Sequence, residues 1–179
     1  MSKLIVNTIE AQTYKYDSDT TGLTLNSDGT FNRGTIPYWA LKGPATSSIP
    51  ANGTVKWGER ADSEEAIIGQ SLGGGCTYDV STGEVTVSIS GLYQVNIHAN
   101  VRSNVSGTNS VGIELVVNGT DVGIRNYFSD TTHTIWQDMS FSTLVTLDAN
   151  DTIRVDEYYG NTIQVDGNPW GGFSGYLVG

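Results

Sequence analysis

From residue 93 the chain alternates. Tyr93, Val95, Ile97, Ala99 and Val101 share one parity, while Gln94, Asn96, His98 and Asn100 share the other, the period of two expected of a strand with one buried face. Val111, Ile113, Leu115 and Val117 repeat the pattern, Asn118-Gly119 supplies the dipeptide preferred in a two-residue hairpin turn, and Val122 and Ile124 begin the return strand. Met139, Phe141, Val145 and Leu147 alternate again, and Asp148 to Asp151 are read as the turn of a second hairpin returning through Ile153 and Val155. Phe173 and Leu177, on either side of Gly175, predict a closing strand at the C-terminus. The one helix-like stretch, residues 63–69, is too brief to change the reading. About eight short strands with regularly spaced turns predict an all-β fold, an antiparallel sandwich closed as a jelly roll.

The first 35 residues differ. Their apolar alternations, Leu4/Val6 and Leu23/Leu25/Phe31, are short and separated by turn formers such as Asn26 to Gly29, so they cannot make a core alone. Charge divides the chain in the same way. Residues 1–45 carry four bases (Lys3, Lys15, Arg33, Lys42) and four acids (Glu10, Asp17, Asp19, Asp28), so the whole net charge of −10 lies beyond them, as five bases against fifteen acids. The expected organisation is an extended N-terminal arm, 1–35, and a jelly-roll head, 36–179, with the Pro/Gly/Ser-rich passage 43–53 as linker or first loops.

Composition narrows the function. At 179 residues, 37% hydrophobic and 16% charged, the chain is too apolar for wholesale disorder and long enough for one core. The surplus of acids opposes binding to nucleic acid. Cys76 stands alone, so no intrachain disulfide forms. No stretch approaches the 18 apolar residues of a membrane span, and the opening Met1 to Asn7 lacks a Sec-type signal, so a soluble chain made in the cytoplasm is expected, with no membrane partner.

No catalytic arrangement emerges. His98 and His133 are far apart, and His98 lies on a polar strand face. Cys76 follows Gly73-Gly74-Gly75 with no basic neighbour to lower its pKa, so it reads as a buried, inert thiol. The glycines lack the lysine frame of a phosphate loop. Asn-x-Ser/Thr sequons at Asn52, Asn104, Asn118 and Asn150 read as turns. Asp121, Asp148/Asp151 and Asp156/Glu157 are oxygen ligands of the calcium type, but no twelve-residue EF-hand loop is present, and solvated acidic loops are the preferred reading over calcium. A depolymerase would need an acid pair that the sequence does not show. The nine Tyr, four Trp and four Phe exceed what one small sandwich must hide, so some, with Tyr158 and Trp170 near strand ends, are expected to pack against another copy of the chain.

Residues 78–95, Tyr-Asp-Val-Ser-Thr-Gly-Glu-Val-Thr-Val-Ser-Ile-Ser-Gly-Leu-Tyr-Gln-Val, resemble the globular C1q domain of the tumour necrosis factor-like superfamily, where Tyr-Asp, Thr-Gly, an alternating strand and Gly-x-Tyr-x-Phe follow one another. The Val-Asn-Gly turn at 117–119, the turn from Leu147 to Asp151 and the ending Gly172-Phe-Ser-Gly-Tyr-Leu177 match in the same order, so the resemblance spans about residues 36–178. It departs at Val95, where the family usually has Phe, and no collagen repeat precedes the head, so the complement role does not transfer. The resemblance implies a ten-strand jelly roll forming a homotrimer, with Tyr93, Phe173 and Leu177 near the core or the threefold axis. Three copies would carry thirty surplus negative charges, so the axial contact should be apolar, or bridged by Arg102, Arg125 and Arg154 or by a cation.

The opening Ser2 to Ile9, with the Thr-rich stretch and Leu25-Asn-Ser-Asp-Gly-Thr-Phe31 that follow, is similar to the starts of structural proteins of tailed bacteriophages. That similarity implies a virion-surface protein with Leu4, Val6 and Ile9 as arm anchors on capsid or other virion proteins, most simply a capsid decoration or cement. The alternative is the receptor-binding tip of a tail or head fibre recognising a host-surface glycan or protein.

Overall fold

The alternation beginning at Tyr93 becomes the longest described strand, and the larger part of the chain is organised around it. The computed structural model describes residues 13–15, 21–25, 31–33, 36–43, 48–58, 70–104, 109–130, 136–166 and 171–178. The anchor residues Leu4, Val6 and Ile9, the helix-like stretch 63–69, His133 and Trp170 lie outside them. The chain divides into two compact units, Met1–Ile36 and Pro37–Gly179. In the first, β1 (Thr13–Lys15), β2 (Thr21–Leu25) and β3 (Phe31–Arg33) pair antiparallel in that order, with Leu25 opposite Phe31.

The second unit is a two-sheet antiparallel sandwich. Its strands are β4 (Tyr38–Lys42), β5 (Ser48–Ile49), β6 (Gln70–Gly73), β7 (Thr77–Asp79), β8 (Glu84–Thr86), β9 (Gly91–Ser103), β10 (Asn109–Val117), β11 (Thr120–Asp130), β12 (Gln137–Leu147), β13 (Thr152–Glu157), β14 (Ile163–Asp166) and β15 (Gly172–Leu177). One sheet runs β11-β10-β13-β8-β7. The other is centred on β9, with β12 along one edge and β15 and β14 sharing the other; β15 leads on to β4 and β6, β14 to β5. The all-β jelly-roll sandwich predicted from alternation is the fold observed. Strands β5 to β8 have only two to four residues, too few for a period of two to mark them in the sequence.

Period two sets the core. Tyr93, Val95, Ile97, Ala99 and Val101 are buried on β9 and meet Val111, Ile113 and Leu115 of β10 and Ile153 and Val155 of β13 in one cluster. Each such large apolar side chain contributes about 1.5–3 kcal/mol of gross stabilisation. Trp39, Tyr93, Phe173 and Trp57 form a run of rings with centroids 5.5–6.0 Å apart. The Trp39 indole lies across β15 because residue 175 is glycine: a Cβ there would stand 2.3 Å from its ring carbons Cη2 and Cζ2.

Turn chemistry follows the sequence at several points. Asn118 and Gly119 both have positive φ, 50° and 75°, which matches the type I′ geometry whose twist suits a hairpin, and β10 pairs β11 around them. The sequon asparagines Asn52 and Asn150 likewise sit at positive φ. The second predicted hairpin is corrected. The turn at Asp148–Asp151 forms, with Asp151 N–H donating to Asp148 O at 3.0 Å, but β12 pairs with β9 while β13 pairs with β10 and β8. The turn therefore crosses between sheets. Its carboxylate is stapled to the other hairpin, Asn118 Nδ2 donating to Asp151 Oδ1 at 2.7 Å and Thr152 N–H to Asn118 Oδ1 at 2.9 Å. Alternation gives each strand its faces but not its partner.

Candidate functional site

Two outward faces and one buried carboxylate hold the polar chemistry of the head. The first face belongs to the sheet centred on β9. Register aligns Leu144, Gln94, Tyr176 and Tyr38 in one row, Ser142, Asn96, Ser174, Ala40 and Ser71 in the next, and Ser140, His98, Gly172 and Lys42 in a third. None of these is an acid, in a chain with nineteen. Gln94 Nε2 donates to Ser142 Oγ at 2.7 Å and to Thr143 O at 3.1 Å, and Ser142 Oγ donates to Asn96 Oδ1 at 2.7 Å. The polar centre is thus satisfied within the chain. Around it Leu144, Tyr176 and Val178 are 53%, 49% and 54% exposed. Where Gly172 brings no side chain, a shallow depression of about 510 Å³ opens between Lys42 and Ser71 on one side and Asn96 and His98 on the other. His98 is half exposed, its Nε2 3.8 Å from Asp138 Oδ1.

The second face belongs to the sheet of β10 and carries ions. Arg154 Nη1 meets Glu84 Oε1 at 2.6 Å, and its Nε meets both Asp156 oxygens at 3.0 Å. Asp156 Oδ1 also accepts from Thr54 Oγ1 at 2.7 Å. Arg125 Nη2 meets Asp121 Oδ2 at 2.7 Å, and its guanidinium lies 4.0 Å above the Tyr158 ring centroid. Glu114, opposite both Arg125 and Asp156, leaves its Oε2 without a hydrogen-bond partner, and burial, reinforced by the charge of Asp121, pushes its carboxyl above the usual range. Beside these ions Tyr159 meets both Tyr127 and Tyr158 edge to face, with centroids 5.6 and 4.7 Å apart. Gly112 makes room for them: a Cβ there would approach Tyr127 Cβ and Tyr159 Cδ2 at 3.1 Å.

Glu157 is buried, and its carboxylate accepts four backbone N–H groups: Tyr159 on Oε1 at 2.7 Å, and Asn52, Gly160 and Asn161 on Oε2 at 2.9, 2.8 and 3.2 Å. The expectation of solvated acidic loops at Asp156 and Glu157 is therefore corrected, since both are buried and committed to protein donors. Asp148, Asp151 and Asp121 remain in turns and at the strand start. Among the described residues no group of three or more His, Cys, Asp or Glu side chains is arranged to hold a metal ion.

The other singled-out residues fall as follows. Tyr93 and Phe173 lie in the core; the Tyr93 hydroxyl donates to Ile89 O at 2.7 Å, and burial pushes its pKa up to about 12. Leu177 packs partly buried against the same core. Tyr158 is half-buried under Arg125. Cys76 is buried and its thiol is pushed up by desolvation, the opposite of an activated nucleophile. Arg125 and Arg154 pair with carboxylates of their own chain, and Arg102 stacks on Trp136 at 4.5 Å. Sequence reasoning missed the role of Glu157. The available signal was parity: it continues the inward series of Ile153 and Val155.

The family model of the C1q domain matches residues 71–178. The globular domain of the zebrafish complement 1qA protein superposes with a TM-score of 0.57 at 16% identity, covering 80% of this chain and 98% of that one. At that identity the likeness is one of fold. No curated protein matches the chain.

Proposed function

The chain belongs to the C1q domain family, and from that premise we propose that it is a non-enzymatic structural protein of a virion, three heads forming a knob that the segment 1–35 attaches to a phage particle as capsid decoration. C1q domains typically form trimers and are generally recognition rather than catalytic modules. The observation that carries the trimer is the face of Leu144, Gln94 and Tyr176. Three successive rows free of carboxylates, in a chain of net charge −10, avoid the repulsion that three copies would otherwise concentrate at a shared axis. Exposed Leu144, Tyr176 and Val178 supply apolar area. At about 25 cal/mol per Å², several hundred Å² per subunit give gross stabilisation on the order of 10 kcal/mol before association costs.

The virion role rests on the N-terminal similarity to phage structural proteins, and on trimerisation, which would place three weak grips on one particle and raise their combined strength. Made in the host cytoplasm, the protein would end on the virion surface, its grip supplied by Leu4, Val6 and Ile9. Removing residues 1–35 should leave a soluble trimer by native mass measurement that no longer binds particles; full particle binding by the truncated chain would refute the arm. A second reading, a fibre tip recognising a host-surface glycan or protein, is favoured by the tyrosines exposed on the opposite sheet. Host-cell or glycan-array binding by the full protein, with particle binding unaffected by the truncation, would select it.

A further inference from the structure

The tyrosine cluster is not explained by the core or by the proposed assembly face. Tyr127 and Tyr159 are 59% and 37% exposed, and Gly112 lets them stand together on the outward side of β10. Tyrosine rings present a negative face that attracts cations, and one of the three already does so: the Arg125 guanidinium lies over Tyr158, with Asp121 behind it. The neighbouring rows are over-supplied with negative charge. Among the described ion pairs of this face, Glu84, Asp121 and Asp156 are held by Arg125 and Arg154, Glu114 stands as a fourth carboxylate beside them, and its buried Oε2 has no hydrogen-bond partner. A cation-accepting aromatic surface beside uncompensated carboxylate fits a ligand that brings both a flat or apolar stem and positive charge.

We propose that the Tyr127–Tyr159 face docks a basic segment of a partner protein, one arginine side chain stacking on the open tyrosines as Arg125 stacks on Tyr158, next to the surplus carboxylate of Glu114. The docking surface lies on the sheet opposite the assembly face, so it holds whether the knob decorates a capsid or tips a fibre.

The test is titration of the full chain with a capped peptide of alternating glycine and arginine, with an alternating glycine and serine peptide and a neutral maltooligosaccharide as comparators. Tyr127→Ala should weaken the arginine peptide about tenfold and Tyr127→Phe should preserve its binding. If the alanine variant fails to fold, Tyr127→Leu keeps apolar area without the ring and should lose the same affinity. Glu114→Gln should weaken binding about threefold, whereas Asp138→Asn, which removes one charge from a side chain 71% exposed on the other sheet, should leave it unchanged. Equal weakening by Glu114→Gln and Asp138→Asn would reduce the effect to net charge and overturn the site. So would undiminished binding to Tyr127→Ala, absence of any binding by the arginine peptide, or Tyr127-dependent binding of the saccharide in its place.

Discussion

The two outward faces of the sandwich are made by the same alternation and carry opposite chemistry. On the sheet centred on β9, rows of Ser, Asn and Gln form a closed hydrogen-bonded patch, with Leu144 and Tyr176 at its edge and no acid in three rows. On the sheet of β10, Glu114, Asp121 and Asp156 crowd two arginines beneath a tyrosine cluster. The contrast teaches where completion comes from. The ionic face is held by partners inside its own chain, as is Glu157 beside it, so its loss should be felt by the protomer. Among the described residues the uncharged face has exposed apolar area at Leu144 and Tyr176, so its loss should be felt only by the assembly.

The largest expected effect breaks the first half of that contrast. Glu157→Ala removes the acceptor of four backbone N–H groups from the loop at Asn52 and the turn at Tyr159 to Asn161. A buried donor left without a partner costs about 1–3 kcal/mol, and with water recovering part of that the variant should lose about 4 kcal/mol. Chemical denaturation should show the loss at every protein concentration. A loss that vanishes on raising the concentration would mean that this carboxylate serves assembly instead.

Next comes the second half. Leu144→Asp places a carboxylate in the row of Gln94 and Tyr176, at a position exposed in the protomer, so the fold should change by no more than about 0.5 kcal/mol. In a trimer three such charges would be desolvated without cations, and the apparent dissociation constant should rise at least about a hundredfold. Sedimentation or native mass measurement would read this as monomer. The same aspartate at Tyr127, on the other sheet, should leave the trimer intact. Dissociation by Tyr127→Asp and not by Leu144→Asp would exchange the roles of the two faces.

Much of this was legible in the chain. Parity alone assigned the inward series on β9, β10 and β13, and Asn118-Gly119 fixed a turn, because both depend on neighbours within a few residues. What sequence could not supply was partnership across sheets. The Asp148–Asp151 turn looked like a hairpin because nothing local distinguishes a return within a sheet from a crossing between sheets; the decision rests on Asn118, more than thirty residues earlier. Likewise Gly175 was visible as a gap between Phe173 and Leu177, but its reason is the Trp39 indole from the far end of the unit. The uncharged face was invisible for the same cause: it is assembled from β12, β9, β15 and β4, and only their register shows that no acid falls among the rows.

The smallest effect sharpens the ionic face. Burial and then the charge of Asp121 raise the Glu114 carboxyl above its ordinary value, with Asp156 adding to the rise and Arg125 opposing it. A carboxyl whose pKa is higher folded than unfolded favours the fold in its protonated form, so its contribution is fully present below the unfolded value and is lost as pH rises through the folded one. At about pH 7 the ionised group is therefore a small net cost. Glu114→Gln, which stays neutral, should melt at the same temperature as the parent or about a degree above it near neutrality, with the difference closing toward about pH 4. A drop in melting temperature at neutral pH would show that the pairing of Glu114 with Arg125 outweighs its burial and crowding, that the face has no surplus carboxylate, and that the uncompensated charge offered there to a basic partner does not exist.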